Sequence, residues 1–125
     1  MKVIVADDSQ VMRMIIEKIV NSLGYEAVHA GNGQEVLSVL EKGCGDTDLI
    51  LLDWNMPVLN GLETLRRIKK SRTTRDIPVL MVSTESEEDK IQQVMNAGAG
   101  GYISKPFTAE SLAAVIRKMK EKRSA

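Results

Sequence analysis

Four short strand-like runs each end in a residue able to do chemistry. Val3–Ala6 runs into Asp7-Asp8, Leu49–Leu52 into Asp53, Val79–Val82 into Ser83, and Tyr102–Ser104 into Lys105-Pro106. Three carboxylates brought together repel one another unless protons or a cation neutralise them. A hard divalent cation with oxygen ligands suits such a set, and Mg²⁺ in particular takes one or two carboxylates and leaves positions for phosphate oxygens. A carboxylate is also a nucleophile toward phosphorus. Phosphoryl transfer then needs positive charge and donors around the equatorial oxygens. Lys105 offers an ammonium and Ser83 a hydroxyl. If these strand ends converge, the inventory suffices for an aspartyl phosphate.

Convergence follows from the order of the elements. Strands are expected over Lys2–Ala6, Tyr25–Ala30, Asp48–Leu52, Ile77–Val82 and Gly101–Ser104. Helices are expected over Gln10–Leu23, Gln34–Lys42, Gly61–Ser71, Glu87–Ala97 and Ala109–Lys122. Ser9 is placed to cap the first helix, whose stripe is Met12, Ile15, Ile16, Ile19, Val20 and Leu23, and Gly24 stops it. Glu85, Glu87, Glu88 and Asp89 favour the start of the fourth helix through its dipole. Strand three is nearly all aliphatic, as a strand buried on both faces must be. Alternating strands and helices with right-handed crossovers give an α/β fold, a doubly wound five-stranded parallel sheet with helices on both faces. Five units fit the flavodoxin-like order 2-1-3-4-5, whose switch point lies between strands one and three. Asp7, Asp8 and Asp53 end those two strands, so topology and acidity point to the same crevice.

Bulk properties bound the rest. A chain of 125 residues, 43% hydrophobic and 27% charged, suits one domain over 1–125. Its formal net charge of zero gives no reason to expect nucleic acid or an anionic membrane as a partner. No apolar run approaches a membrane span, and the N-terminus meets acid too early for a signal peptide. Cys44 is the single cysteine, in a Gly43-Cys44-Gly45 turn, which suggests a reducing compartment, with cytoplasm expected. His29 is the single histidine and is expected on solvated surface. The basic stretch Arg66-Arg67, Lys69-Lys70, Arg72 and Arg75 reads as an exposed helix end and loop.

Ala6-Asp7-Asp8-Ser9, Asp53-Trp54-Asn55-Met56-Pro57, Asn60-Gly61, Ser83, Ala97-Gly98-Ala99 and Tyr102 through Lys105-Pro106-Phe107 together resemble the receiver domain of two-component response regulators. The resemblance spans essentially the whole chain and is strongest toward the stand-alone chemotaxis regulators. It implies that Asp53 accepts a phosphoryl group from a histidine kinase, with Lys105 pairing with the acyl phosphate. Asp7 and Asp8 would hold Mg²⁺, helped by Asp53 and the backbone carbonyl of Asn55. Ser83 would turn to the phosphoryl group and Tyr102 would change rotamer in response. The Lys105-Pro106 bond would be cis.

The chain departs from the family pattern at three places. Asn60 stands where Asp is usual before Gly61, and the turn tolerates either because both accept a left-handed backbone. Ser83 replaces the commoner Thr, and Thr84 stands where a small Ala is usual.

Two enzyme or cofactor classes compete and fit poorly. A haloacid-dehalogenase-type phosphatase needs an Asp-x-Asp arrangement and a cap, whereas Asp7 is followed by Asp8-Ser9. A flavodoxin needs a hydroxyl-rich phosphate loop, which Asp8 would repel. The expectation is therefore a phosphorylation-controlled signalling switch, not an enzyme beyond its own Mg²⁺-dependent phosphorylation and dephosphorylation. Its target would bind helix four, strand five and helix five, with a phosphatase as a further partner and the chain a monomer. The alternatives are a phosphorelay intermediate or sink, or a receiver cut from a larger regulator. Asn55 and Glu85, each two residues beyond a site residue, are expected to border the phosphoryl group and tune its hydrolysis.

Overall fold

In the computed structural model, which describes residues 1–43, 46–84 and 88–124 (the last three as helix only), strands and helices alternate throughout. The elements are β1 (Lys2–Ala6), α1 (Gln10–Ser22), β2 (Glu26–Ala30), α2 (Gly33–Gly43), β3 (Thr47–Leu52), α3 (Gly61–Lys70), β4 (Val79–Ser83), α4 (Glu88–Asn96), β5 (Gly101–Ser104) and α5 (Ala109–Ser124). All pairings are parallel and the sheet order is β2-β1-β3-β4-β5, as the sequence implied. The turn expected at Gly43-Cys44-Gly45 lies partly outside the described residues, as do Glu85 and Glu87.

The period of two along each strand divides the core into two layers. Ile4, Ile50, Leu52, Val79 and Met81 face α2, α3 and α4, where Val36, Leu40, Leu65, Ile68 and Val94 meet them. Val3, Val5, Leu49, Leu51, Leu80 and Val82 face α1 and α5, against Ile16, Ile19, Val20, Leu112, Ile116 and Met119. Burial on both faces explains why β1, β3 and β4 are aliphatic without polar alternation.

Local signals hold at most element ends. The Ser9 hydroxyl accepts from the Met12 N–H, and Gly24 takes φ +90° after α1. Glu88 and Asp89 occupy the first turn of α4. Two expectations need correction. Ile15 is 45% exposed, together with Val11 and Met14, because the buried stripe of α1 is narrower than the run of apolar residues and centres on Ile16, Ile19 and Val20. Strand β4 begins at Val79, since Pro78 has no N–H for a ladder and only its carbonyl bonds, accepting from Ile50. It continues through Ser83, which pairs with Ser104 of β5 and is fully buried.

The expected exposed basic end of α3 also has an exception. Lys69 donates to the carbonyls of Arg75 and Ile77, both at 2.9 Å. Its aliphatic stem lies against Gly98, where an added Cβ would sit 3.0 Å from Cγ. Desolvation by this burial lowers its pKa, opposed by the nearby Asp76 carboxylate. The surrounding Arg66, Arg67, Lys70, Arg72 and Arg75 are exposed as expected.

Candidate functional site

Parallel strands put their carboxyl ends on one edge, and β1 and β3 are neighbours there. Asp7 leaves β1 with its backbone N–H bonded to the Ala30 carbonyl at 3.1 Å, and Asp53 leaves β3 bonded to the Ala6 carbonyl at 3.0 Å. Both side chains are buried while Asp8 is exposed, and one oxygen from each of the three lies within 4.8 Å of the others. From the end of β5, Lys105 reaches in with Nζ 2.6 Å from Asp7 Oδ2 and 3.4 Å from Asp53 Oδ2. The Lys105-Pro106 bond is cis.

Lys105 is thus shared unequally between two carboxylates. Burial opposes its charge, but its hydrogen bond to Asp7 and the charges of Asp53 and Asp7 outweigh that, and its pKa is raised. Asp53 is the less compensated acid. Desolvation raises its pKa from an ordinary 3.8 to about 6, Lys105 pulling it back and the Asp7 charge adding to the rise. An all-oxygen donor set around such an acid accommodates a hard divalent cation.

A stability prediction follows. The folded pKa of about 6 exceeds the unfolded 3.8, so between those values the folded chain holds a proton that the unfolded chain has lost. Metal-free protein should therefore lose stability as pH rises through this window, by about 2–3 kcal/mol, and then level off. In urea unfolding, Asp53→Asn should be more stable than wild type at pH 7.5, the gap closing by pH 4. A constant gap across that range would contradict the burial account.

Ser83 and Tyr102 both flank this edge. Ser83 is the last residue of β4 and packed out of solvent, with its carbonyl accepting from the Lys105 N–H at 2.8 Å. Thr84, next along, is exposed. Tyr102 is half-buried against the α2–α3–α4 layer with its hydroxyl buried. Asn55 is exposed two residues after Asp53, whereas Glu85 lies outside the described residues.

Asn60 has another role than the one expected. Its backbone is extended (φ −73°) and its side chain caps α3 by accepting from the Glu63 N–H at 2.9 Å. Asp and Asn are interchangeable there as caps. The left-handed residue of this loop is Val58, at φ 68°. Beside it, the Leu59 N–H bonds to the Pro57 carbonyl at 2.7 Å.

Sequence reasoning also missed Arg13, whose Nη1 donates to the Asp7 backbone carbonyl at 2.6 Å. Its position on α1, one turn past the Ser9 cap, was the available signal. His29, expected on solvated surface, keeps 32% of its side chain exposed but is also tied down: its Nδ1 accepts from Arg13 Nε at 3.2 Å, and Nε2 lies 3.3 Å from Glu17 Oε1. A cavity of about 320 Å³ lies away from the strand-end acids, among Met1, Tyr25, Leu49, Ile116 and Met119.

A parallel 2-1-3-4-5 sheet with an acidic triplet and a lysine at its switch point defines the class. Residues 3–117 match the response regulator receiver domain family, and the chain belongs to it. It is 37% identical over 123 residues to the chemotaxis protein CheY of Pseudomonas aeruginosa, covering 98% of each chain. The structure of the chemotaxis response regulator CheY4 of Vibrio cholerae superposes with a TM-score of 0.87 at 32% identity, over 94% of this chain and 97% of that one. A response regulator receiver domain from Clostridium thermocellum superposes with a TM-score of 0.89 at 28% identity, over 98% and 96%. The chain is a CheY-like receiver domain of a two-component system. Among the described residues, no helix is long and apolar enough to cross a membrane.

Proposed function

We propose that residues 1–125 form one receiver domain that accepts a phosphoryl group from a histidine kinase on Asp53 and then binds a downstream protein, in chemotaxis and in the cytoplasm. The observation that carries this reading is the unequal sharing of Lys105. Asp7 takes the ammonium at 2.6 Å, and Asp53 is left buried, under-neutralised and at a strand end, where a nucleophile would stand. Asp7, Asp8, Asp53 and the Asn55 backbone carbonyl are the groups that would hold Mg²⁺. Bound there, the cation would neutralise the carboxylates and the charge of the incoming phosphate.

The chain's own groups do the rest. Asp53 supplies the attacking oxygen. Lys105 stands ready to follow the charge onto the acyl phosphate, and the Ser83 hydroxyl is the donor that turns to a phosphoryl oxygen. Loss of that hydroxyl from its resting place would leave room for Tyr102 to move inward, altering the surface of α4, β5 and α5 that a target reads. Incubation with a small acyl phosphate should add one phosphoryl group by intact mass with Mg²⁺ and none with EDTA. Equal labelling under both conditions would remove the cation from the mechanism.

The output half has a separate test. Coupling of phosphorylation to binding is expected to amount to about 1–3 kcal/mol, and it requires a partner that prefers one of two states. Tyr102→Ala should leave Asp53 labelling intact but shrink the affinity difference between phosphorylated and unphosphorylated protein, measured by calorimetry against a partner captured with the phosphorylated form. An undiminished difference would take Tyr102 out of the switch.

A further inference from the structure

Asp7 is held at every polar group, backbone and side chain. Its N–H bonds to Ala30, its Oδ1 accepts from the Ser9 N–H at 2.9 Å, and its Oδ2 takes Lys105. The remaining group, the carbonyl oxygen, is held from outside the pocket by Arg13 Nη1 at 2.6 Å. Arg13 can do this while also donating Nε to His29 because a guanidinium is a planar fork of donors with fixed directions.

The far end of this chain of contacts is chemically specific. To accept from Arg13, His29 Nδ1 must present a lone pair, which makes Nε2 the donor nitrogen of the ring. Nε2 faces Glu17 Oε1 at 3.3 Å, and a carboxylate there selects that tautomer and orients the ring. Arg13 and Glu17 stand one turn apart on α1, and His29 lies on edge strand β2 opposite Val5 of β1, two residues before Asp7. We infer that Glu17, His29 and Arg13 form a positioning relay that sets the Asp7 backbone, and through it the affinity of the acidic pocket for a divalent cation. This rests on the cation reading given above.

Mg²⁺ titration read by the fluorescence of Trp54, the single tryptophan and the neighbour of Asp53, tests the relay. His29→Asn keeps an acceptor oxygen near the position of Nδ1, and His29→Leu has a similar shape without one. The asparagine variant should bind Mg²⁺ within about twofold of wild type, and the leucine variant several-fold more weakly. Arg13→Met should weaken binding about tenfold or more, the scale for outer-shell partners of metal ligands. Arg13→Lys reaches one acceptor but not both and should fall between. Thermal melts in EDTA should stay close to wild type for all four variants, which separates positioning from folding. The relay is overturned if His29→Leu and Arg13→Met bind as wild type does, or if His29→Asn is as weak as His29→Leu. A wild-type protein that shows no Mg²⁺ binding by fluorescence or calorimetry would instead overturn the cation reading itself.

Discussion

Asp53→Asn is expected to abolish stable phosphorylation, the largest functional effect of any single substitution in this chain. The asparagine amide is nearly isosteric and fits the same buried position, but it offers phosphorus no anionic oxygen. Its neighbours cannot substitute. Asp7 is engaged by Lys105 and by the Ser9 N–H, and Asp8 is exposed. Wild type treated with a small acyl phosphate and Mg²⁺ should gain mass and yield a hydroxylamine-trapped derivative at residue 53, whereas Asp53→Asn should yield neither. Label of equal stability on the variant would place the acceptor elsewhere. The labelled wild type also gives a check on Asn55, exposed two residues after Asp53 and proposed to hold a water in line with phosphorus. Asn55→Met with Glu85→Leu should slow decay, and unchanged or faster decay would remove these residues from control of the lifetime.

Gly61→Ala should have the largest effect on stability. A Cβ at residue 61 would stand 2.2 Å from the Asp53 backbone oxygen and 2.8 Å from Trp54 Cα. Both are backbone atoms of the segment that carries Asp53, and the Gly61 N–H bonds to the Trp54 carbonyl at 2.8 Å, so neither side can retreat cheaply. Relief requires displacing α3 or the end of β3. A cost of about 3 kcal/mol or more is expected, a fall in melting temperature on the order of 10 °C. Since the displaced atoms belong to Asp53 and its neighbour Trp54, acyl phosphate labelling should slow in protein that remains folded. A variant with wild-type melting and labelling would mean that the approach is not this tight.

Gly33 makes the same kind of contact on the other side of the β3–α3 loop. An added Cβ there would lie 1.9 Å from Thr64 Oγ1 and 2.6 Å from the Leu59 carbonyl, to which its N–H already bonds. The start of α2 is thus packed directly on the loop that follows Asp53.

The alternation of aliphatic runs with amphipathic helices was enough to determine a doubly wound parallel sheet. Right-handed crossovers leave few topologies for five such units, and burial on both faces gives the central strands their composition. The same pattern put Asp7, Asp8, Asp53 and Lys105 on one edge, because a parallel strand always delivers its last residue there. Other features depended on distances between segments that no local pattern encodes. Val58, not Asn60, takes the left-handed backbone, because Asn60 is needed to cap α3. Ile15 is apolar and at helical spacing, yet exposed, because the sheet behind α1 covers only a narrow stripe. His29 and Arg13, sixteen residues apart, meet because β2 lies beside β1 and beneath α1. Which of the two buried carboxylates holds the lysine was likewise decided in three dimensions. The difference between 2.6 and 3.4 Å leaves Asp53 the less satisfied acid, and it arises from where β5 ends relative to β1 and β3.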